Sequence, residues 1–128
     1  MRLSRIAAVL FVLPFAPLAA QYQNHSQLTA TLRQLAARAG QRAALVTVAT
    51  SPGGRAVQAL RIGAAGRPAL LVIANAHGPQ LIGSSVAVRA AEDLLASADD
   101  RTIWFIPRLN PDAAEAMFAA VPSGRTAN

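Results

Sequence analysis

Residues 69–74 (ALLVIA) and 102–106 (TIWFI) are two short apolar runs separated by a helical stretch, and this arrangement constrains the fold more than any other part of the chain. A continuous run rich in Ile, Val, Leu and aromatic residues, bounded by turn formers, reads as a strand. Its lack of polar alternation predicts that helices cover 69–74 on both faces. Between the two runs, residues 84–96 place Val86, Ala90, Leu94 and Leu95 on one side of a helix. A strand–helix–strand passage of this length makes the two strands parallel, with a right-handed crossover. Upstream, residues 44–49 (ALVTVA) and 57–62 read as strands joined by the turn Ser51-Pro52-Gly53-Gly54, which pairs them as an antiparallel hairpin. Before the hairpin, Leu28, Leu32, Leu35 and Ala39 form an amphipathic helix that Ser26 would cap and Gly40 would stop. The expected fold is α/β: a partial doubly wound mixed sheet, built from an edge hairpin and parallel strands, with flanking helices. Residues 113–120 would add one or two helical turns. Because four strands are few for such a sheet and residues 123–128 add nothing to cover it, the domain reads as truncated.

The first twenty residues have the layout of a secretory signal peptide. Arg2 and Arg5 precede an uncharged apolar stretch over 6–20, and small Ala19 and Ala20 precede polar Gln21. Pro14 and Pro17 interrupt the stretch, which is short for a bilayer span. The expected organisation is therefore a signal peptide at 1–20 followed by one domain at 21–128, in a secreted or periplasmic protein that keeps no stable membrane insertion after cleavage. All twelve basic residues are arginine and the net charge is +6, but the arginines are scattered singly without interleaved aromatics. That pattern argues against nucleic acid as a partner. With no cysteine, the chain has neither disulfides nor a thiolate nucleophile nor a Cys-ligated metal. Its glycines match no phosphate-binding spacing, and Ser84 and Ser85 after Gly83 read as helix caps, not as nucleophiles.

In open parallel sheets, ligand sites collect beyond the carboxyl ends of the strands. Two segments meet that description: Asn75-Ala76-His77-Gly78-Pro79-Gln80 after the first apolar strand, and Asn110-Pro111-Asp112 after the second. If the strands are neighbours, both segments open on one edge of the sheet. His77 then stands where a metal ligand or general base would stand, although a lone histidine is more often structural or merely exposed. Asn110 and Asp112 read as turn formers, and Arg55 as a residue tying the hairpin turn to the sheet.

Taken in order, these pieces resemble the zinc carboxypeptidases of the carboxypeptidase A/B type, in the N-terminal part of that domain only. The correspondence runs through Ser51-Pro52-Gly53-Gly54-Arg55 at a turn, His77-Gly78-Pro79-Gln80 at the His-Gly-x-Glu zinc motif, and Pro107-Arg108-Leu109-Asn110-Pro111-Asp112 after a strand. The resemblance implies zinc as cofactor, a peptide as substrate or ligand, and removal of C-terminal residues by zinc-activated water. It places His77 and Gln80 at metal-ligand positions and brings Arg125 near the place of an arginine that polarises the scissile carbonyl. The zinc motif is degenerate, because Gln80 stands where the family has glutamate. No histidine follows His77, and His25 is expected ahead of the first helix, far from this sheet edge. The family's general-base glutamate also lies beyond the region covered. The expectation is an incomplete, inactive metallopeptidase-like chain (a pseudoenzyme). The alternative is an exported non-catalytic peptide- or glycan-binding module with the same fold.

Overall fold

The computed structural model describes residues 22–97 and 101–119. The expected signal peptide at 1–20 and the candidate Arg125 lie outside the described residues. The first helix, α1 (His25–Ala39), is capped by Asn24 and not by Ser26. The Asn24 side chain accepts from the Gln27 backbone N–H at 2.9 Å, and the Gln27 side chain accepts from the Asn24 backbone N–H at 2.9 Å. This reciprocal box needs Gln or Glu three residues after the cap; Asn24 has Gln27 there, whereas Ser26 would have Thr29. Ser26 falls inside the first turn and donates its hydroxyl to Asn24. As expected, Gly40 ends the helix, at φ +56°, where a side chain would be strained. A 3-10 turn, Gly40–Arg42, leads into the sheet.

Four strands follow: β1 (Ala43–Thr50), β2 (Ala56–Ile62), β3 (Ala69–Ile73) and β4 (Thr102–Ile106). Helix α2 (Leu81–Ala96) joins β3 to β4, and α3 (Pro111–Ala119) follows β4. The sheet order is β1-β2-β4-β3, with β1–β2 and β2–β4 antiparallel and β3–β4 parallel. The hairpin and the parallel pair are those that the sequence predicts, and they meet through the antiparallel β2–β4 pairing.

Register decides which side chains share a face, because alternate residues of a strand point to opposite sides. Pairing sets Leu45, Leu60, Phe105 and Val72 in one row and Ala43, Ile62, Ile103 and Leu70 in the next, on the same face. Leu28, Leu32 and Leu35 of α1 and Ala87, Val88 and Ala91 of α2 pack onto these rows and form the core. Each leucine so buried contributes roughly 1.5–3 kcal/mol from its removal from water. The small residues of α2 let it lie close over β4 and β2.

Because α2 sits over the sheet's interior, β3 is left outside. Every residue of β3 is exposed, with Leu70 at 57% and Leu71 at 58%. This overturns the expectation of a strand covered on both faces: β3 is an apolar edge strand. On the face away from α1 and α2, Val48, Ala59, Leu71, Trp104 and Ile106 line a shallow apolar groove of about 360 Å³. Among the described residues no helix is long and apolar enough to cross a membrane.

Candidate functional site

The parallel pairing of β3 with β4 brings their carboxyl ends together, as the sequence requires for a shared site. The backbone continues the pairing past both strands. Ala74 N–H donates to the Ile106 carbonyl at 2.9 Å, Leu109 N–H to Ala74 at 3.1 Å and Asn110 N–H to Asn75 at 3.1 Å. Asn75 holds this crossing. It is buried, and it is the only non-glycine residue of positive φ among the described residues, at +48°. Asparagine tolerates that conformation better than most residues. Its side-chain amide donates to the carbonyls of His77 and Gly78, at 3.1 and 3.3 Å, which folds the loop back on the strand end.

The loop then closes in one turn, with Gln80 N–H donating to the His77 carbonyl at 3.0 Å. Gln80 is the N-cap of α2, but its side chain makes no capping hydrogen bond. His77 and Gln80 are both exposed on this turn. Gly78 between them is buried against the first turn of α3. Ser84, expected as a cap, instead lies buried in the second turn of α2 and accepts from Arg108 Nε at 3.3 Å.

The second segment is built around Asp112. Asn110 caps α3 by accepting from Ala113 N–H at 3.1 Å, and Pro111 occupies the first helical position, where its missing N–H is harmless. Asp112 is more than a turn former. Its carboxylate accepts from Ser51 Oγ at 2.9 Å, from the Gly53 N–H at 2.8 Å and from Arg55 Nη1 at 2.8 Å. Ser51 in turn accepts from Arg55 N–H at 3.0 Å. One carboxylate thus fastens the β1–β2 turn to the start of α3, which gives Arg55 the structural role expected of it. The Arg55 hydrogen bond first and then that from Gly53 hold the Asp112 carboxyl below its ordinary 3.8 against the upward push of desolvation, with a lesser contribution from Ser51.

His25 corrects a further expectation. It opens α1 instead of preceding it, and its N–H donates to Glu115 of α3 at 2.9 Å. Burial chiefly, then the charge of Arg108, lowers its pKa. Arg108 is itself buried, donating through Nη2 to the Gln23 carbonyl at 2.8 Å, and burial lowers its pKa also. A larger cavity of about 560 Å³, lined by Leu35, Arg38, Arg42, Glu92 and Leu95, lies at the carboxyl-terminal ends of α1 and α2. There Arg42 donates to the carbonyls of Leu95 and Ser97 at the end of α2.

The described residues do not fit a zinc ion on their own. No three His, Asp or Glu side chains among them stand close enough to hold a metal. His77 offers an imidazole and Gln80 only a neutral amide oxygen, whereas protein zinc sites take three or four nitrogen, sulfur or carboxylate donors. Asn75, Arg108 and the long-range bonds of Asp112 escape sequence reasoning. The one local signal was the pair of turn-forming segments that contain Asn75 and Asp112.

The mixed sheet, with its His-Gly turn beside the Asn-Pro-Asp segment, is the N-terminal architecture of a metallocarboxypeptidase domain. A family model for zinc carboxypeptidases matches residues 28–125, and the chain belongs to that family. No curated protein matches it. Solved structures share the fold at low identity. Bovine thrombin-activatable fibrinolysis inhibitor, solved with a tick carboxypeptidase inhibitor, superposes with a TM-score of 0.71 at 10% identity over 80% of this chain and 36% of that one. Carboxypeptidase A from Helicoverpa armigera gives 0.68 at 18%, over 77% and 27%. A metallo-carboxypeptidase from Burkholderia cenocepacia gives 0.59 at 21%, over 69% and 27%. The chain therefore spans about a third or less of the length of these carboxypeptidases.

Proposed function

We propose that this chain is the exported N-terminal part of a metallocarboxypeptidase-like domain, which takes a peptide as substrate or ligand and has no hydrolytic activity by itself. The observation that carries this reading is the turn His77-Gly78-Pro79-Gln80, which sits at the carboxyl ends of two adjacent parallel strands in a member of the zinc carboxypeptidase family. His77 is the metal ligand this segment offers, and Gln80 stands at the position of a second. An amide oxygen carries no charge, so it holds a divalent cation less firmly than a carboxylate does. Arg125, which lies outside the described residues, is proposed to face the substrate. The leader at 1–20 supports secretion to the periplasm or the medium.

Zinc titration of the full chain, read by competition with a chelating dye, tests the metal part of this reading. The expected result is weak binding, which Gln80→Glu strengthens by on the order of tenfold, or about 1.4 kcal/mol. Submicromolar affinity in the unaltered chain would overturn the claim of an incomplete site. No gain from Gln80→Glu would remove position 80 from the metal. Gln80 also favours a second reading, a non-catalytic peptide- or glycan-binding module. Saturable binding of a peptide or an oligosaccharide that chelators leave unchanged would support that reading.

A further inference from the structure

Three side chains that line one small space beside α1 each carry a buried polar atom without a partner. His25 Nδ1, Gln58 Oε1 and Arg108 Nη1 are buried and have no hydrogen-bond partner among the described residues. All three side chains line the same cavity, with Leu28, Thr29, Leu32, Ala56 and Pro107 supplying the rest of its wall. Register puts Gln58 on the helix-covered face of the sheet, two residues before Leu60. A buried polar atom left without a partner costs on the order of 1–3 kcal/mol, so three on side chains lining one cavity point to a common ligand.

We propose that this cavity is a structural water site, in which one water molecule bridges His25 of α1, Gln58 of β2 and Arg108 after β4. The volume is about 10 Å³. That is room for about one water molecule and not for phosphate or an organic group. The chemistry of the wall agrees. The water accepts from Arg108 Nη1–H and donates its two protons to Gln58 Oε1 and His25 Nδ1, which gives the three hydrogen bonds typical of an internal water. An anion would face two acceptors, and a cation would face the guanidinium.

The arrangement fixes one tautomer of the imidazole, with the proton on Nε2 and the Nδ1 lone pair turned to the water. Burial and Arg108, aided by Arg55, disfavour a second proton on His25, and Glu115 and Asp112 oppose them more weakly. The remaining two nitrogens of Arg108 are already engaged, with Ser84 and Gln23. The water therefore completes the hydrogen bonding of a buried cation that lies between α1 and α2.

Oxygen-17 relaxation dispersion of the full chain counts long-lived internal waters. Gln58→Met keeps the length of the side chain but removes the acceptor, and it is expected to lose one such water. An unchanged dispersion amplitude in a folded Gln58→Met protein would overturn the proposal. The unaltered protein provides a test that needs no variant. Imidazole nitrogen-15 shifts at neutral pH are expected to show His25 with a bare Nδ1, and a proton found on Nδ1 would equally overturn the assignment.

Discussion

Replacing Gly78 by alanine tests whether the His-Gly turn is clamped to α3. A Cβ built on Gly78 would lie 2.5 Å from the Ala113 carbonyl oxygen, 2.6 Å from the Ala113 carbonyl carbon and 2.6 Å from Ala113 Cβ. Ordinary contacts between such atoms are about 3.5–4.0 Å, so the new methyl is roughly 1 Å too close on several sides. Two of the three atoms are helix backbone in a turn that Asn110 caps and that Asp112 ties to the hairpin, so α3 cannot yield alone. Overpacking of this kind costs about 1–3 kcal/mol, and the immovable neighbours place Gly78→Ala in the upper half of that range. In urea, with a slope of about 1–3 kcal/mol per molar, the unfolding midpoint should fall by roughly 1 M or more. Gly66→Ala is the control. Nothing lies within 4 Å of its Cβ, and only its φ of +76° opposes the change, at about 1 kcal/mol. Adding Ala113→Gly to Gly78→Ala should restore little, because the carbonyl clashes remain. A Gly78→Ala protein within about 0.5 kcal/mol of the parent would refute the packing of this turn on α3.

Other outcomes follow from the same geometry. The folded Asp112 carboxyl titrates below its ordinary 3.8. Its stabilising effect is thus complete above about pH 5 and is lost as pH falls through the folded value. Asp112→Asn should lower the urea midpoint at pH 7, and the gap between parent and variant should narrow as the pH is taken below 3.8; a gap that widens in acid would contradict the sign. Leu71→Lys, on the exposed edge strand, should change stability by no more than about 0.5 kcal/mol while reducing self-association seen by light scattering. A large loss of stability would mean that β3 is covered.

Local signals carried most of the fold. The β1–β2 hairpin, the parallel β3–β4 pair, α2 between them and the Gly40 stop are all legible, because each depends on residues close together in the chain. What failed is equally specific. Apolar continuity in 69–73 marks a strand but does not say what lies above it, and α2 settles over β2 and β4 instead. Ser26 and Asn24 are both good caps, and only the partner at Gln27 decides between them. Asp112 looks like a turn former because its bonds reach to Ser51, Gly53 and Arg55, some sixty residues away. In sequence His25 reads as preceding the first helix, because only the packing of α1 and α3 brings Glu115 to its backbone. Of the candidate site, the meeting of the two strand-end segments was legible from topology, whereas their fastening by Asn75 was not.

The order β1-β2-β4-β3 has a consequence for how the chain acquires its shape as it is made. β4 sits between β2 and β3, yet it is the last of the four strands to emerge. The hairpin can form early, since its partners are close in sequence, but β3 has no strand to pair with until residues 102–106 arrive. Non-local pairing of this kind is slow, because a long loop must close before any contact rewards it. The half-made chain would therefore present two separate apolar pieces, and a single late insertion would convert them into one sheet. Until β4 arrives, the open edges of both pieces remain free to pair with a wrong partner.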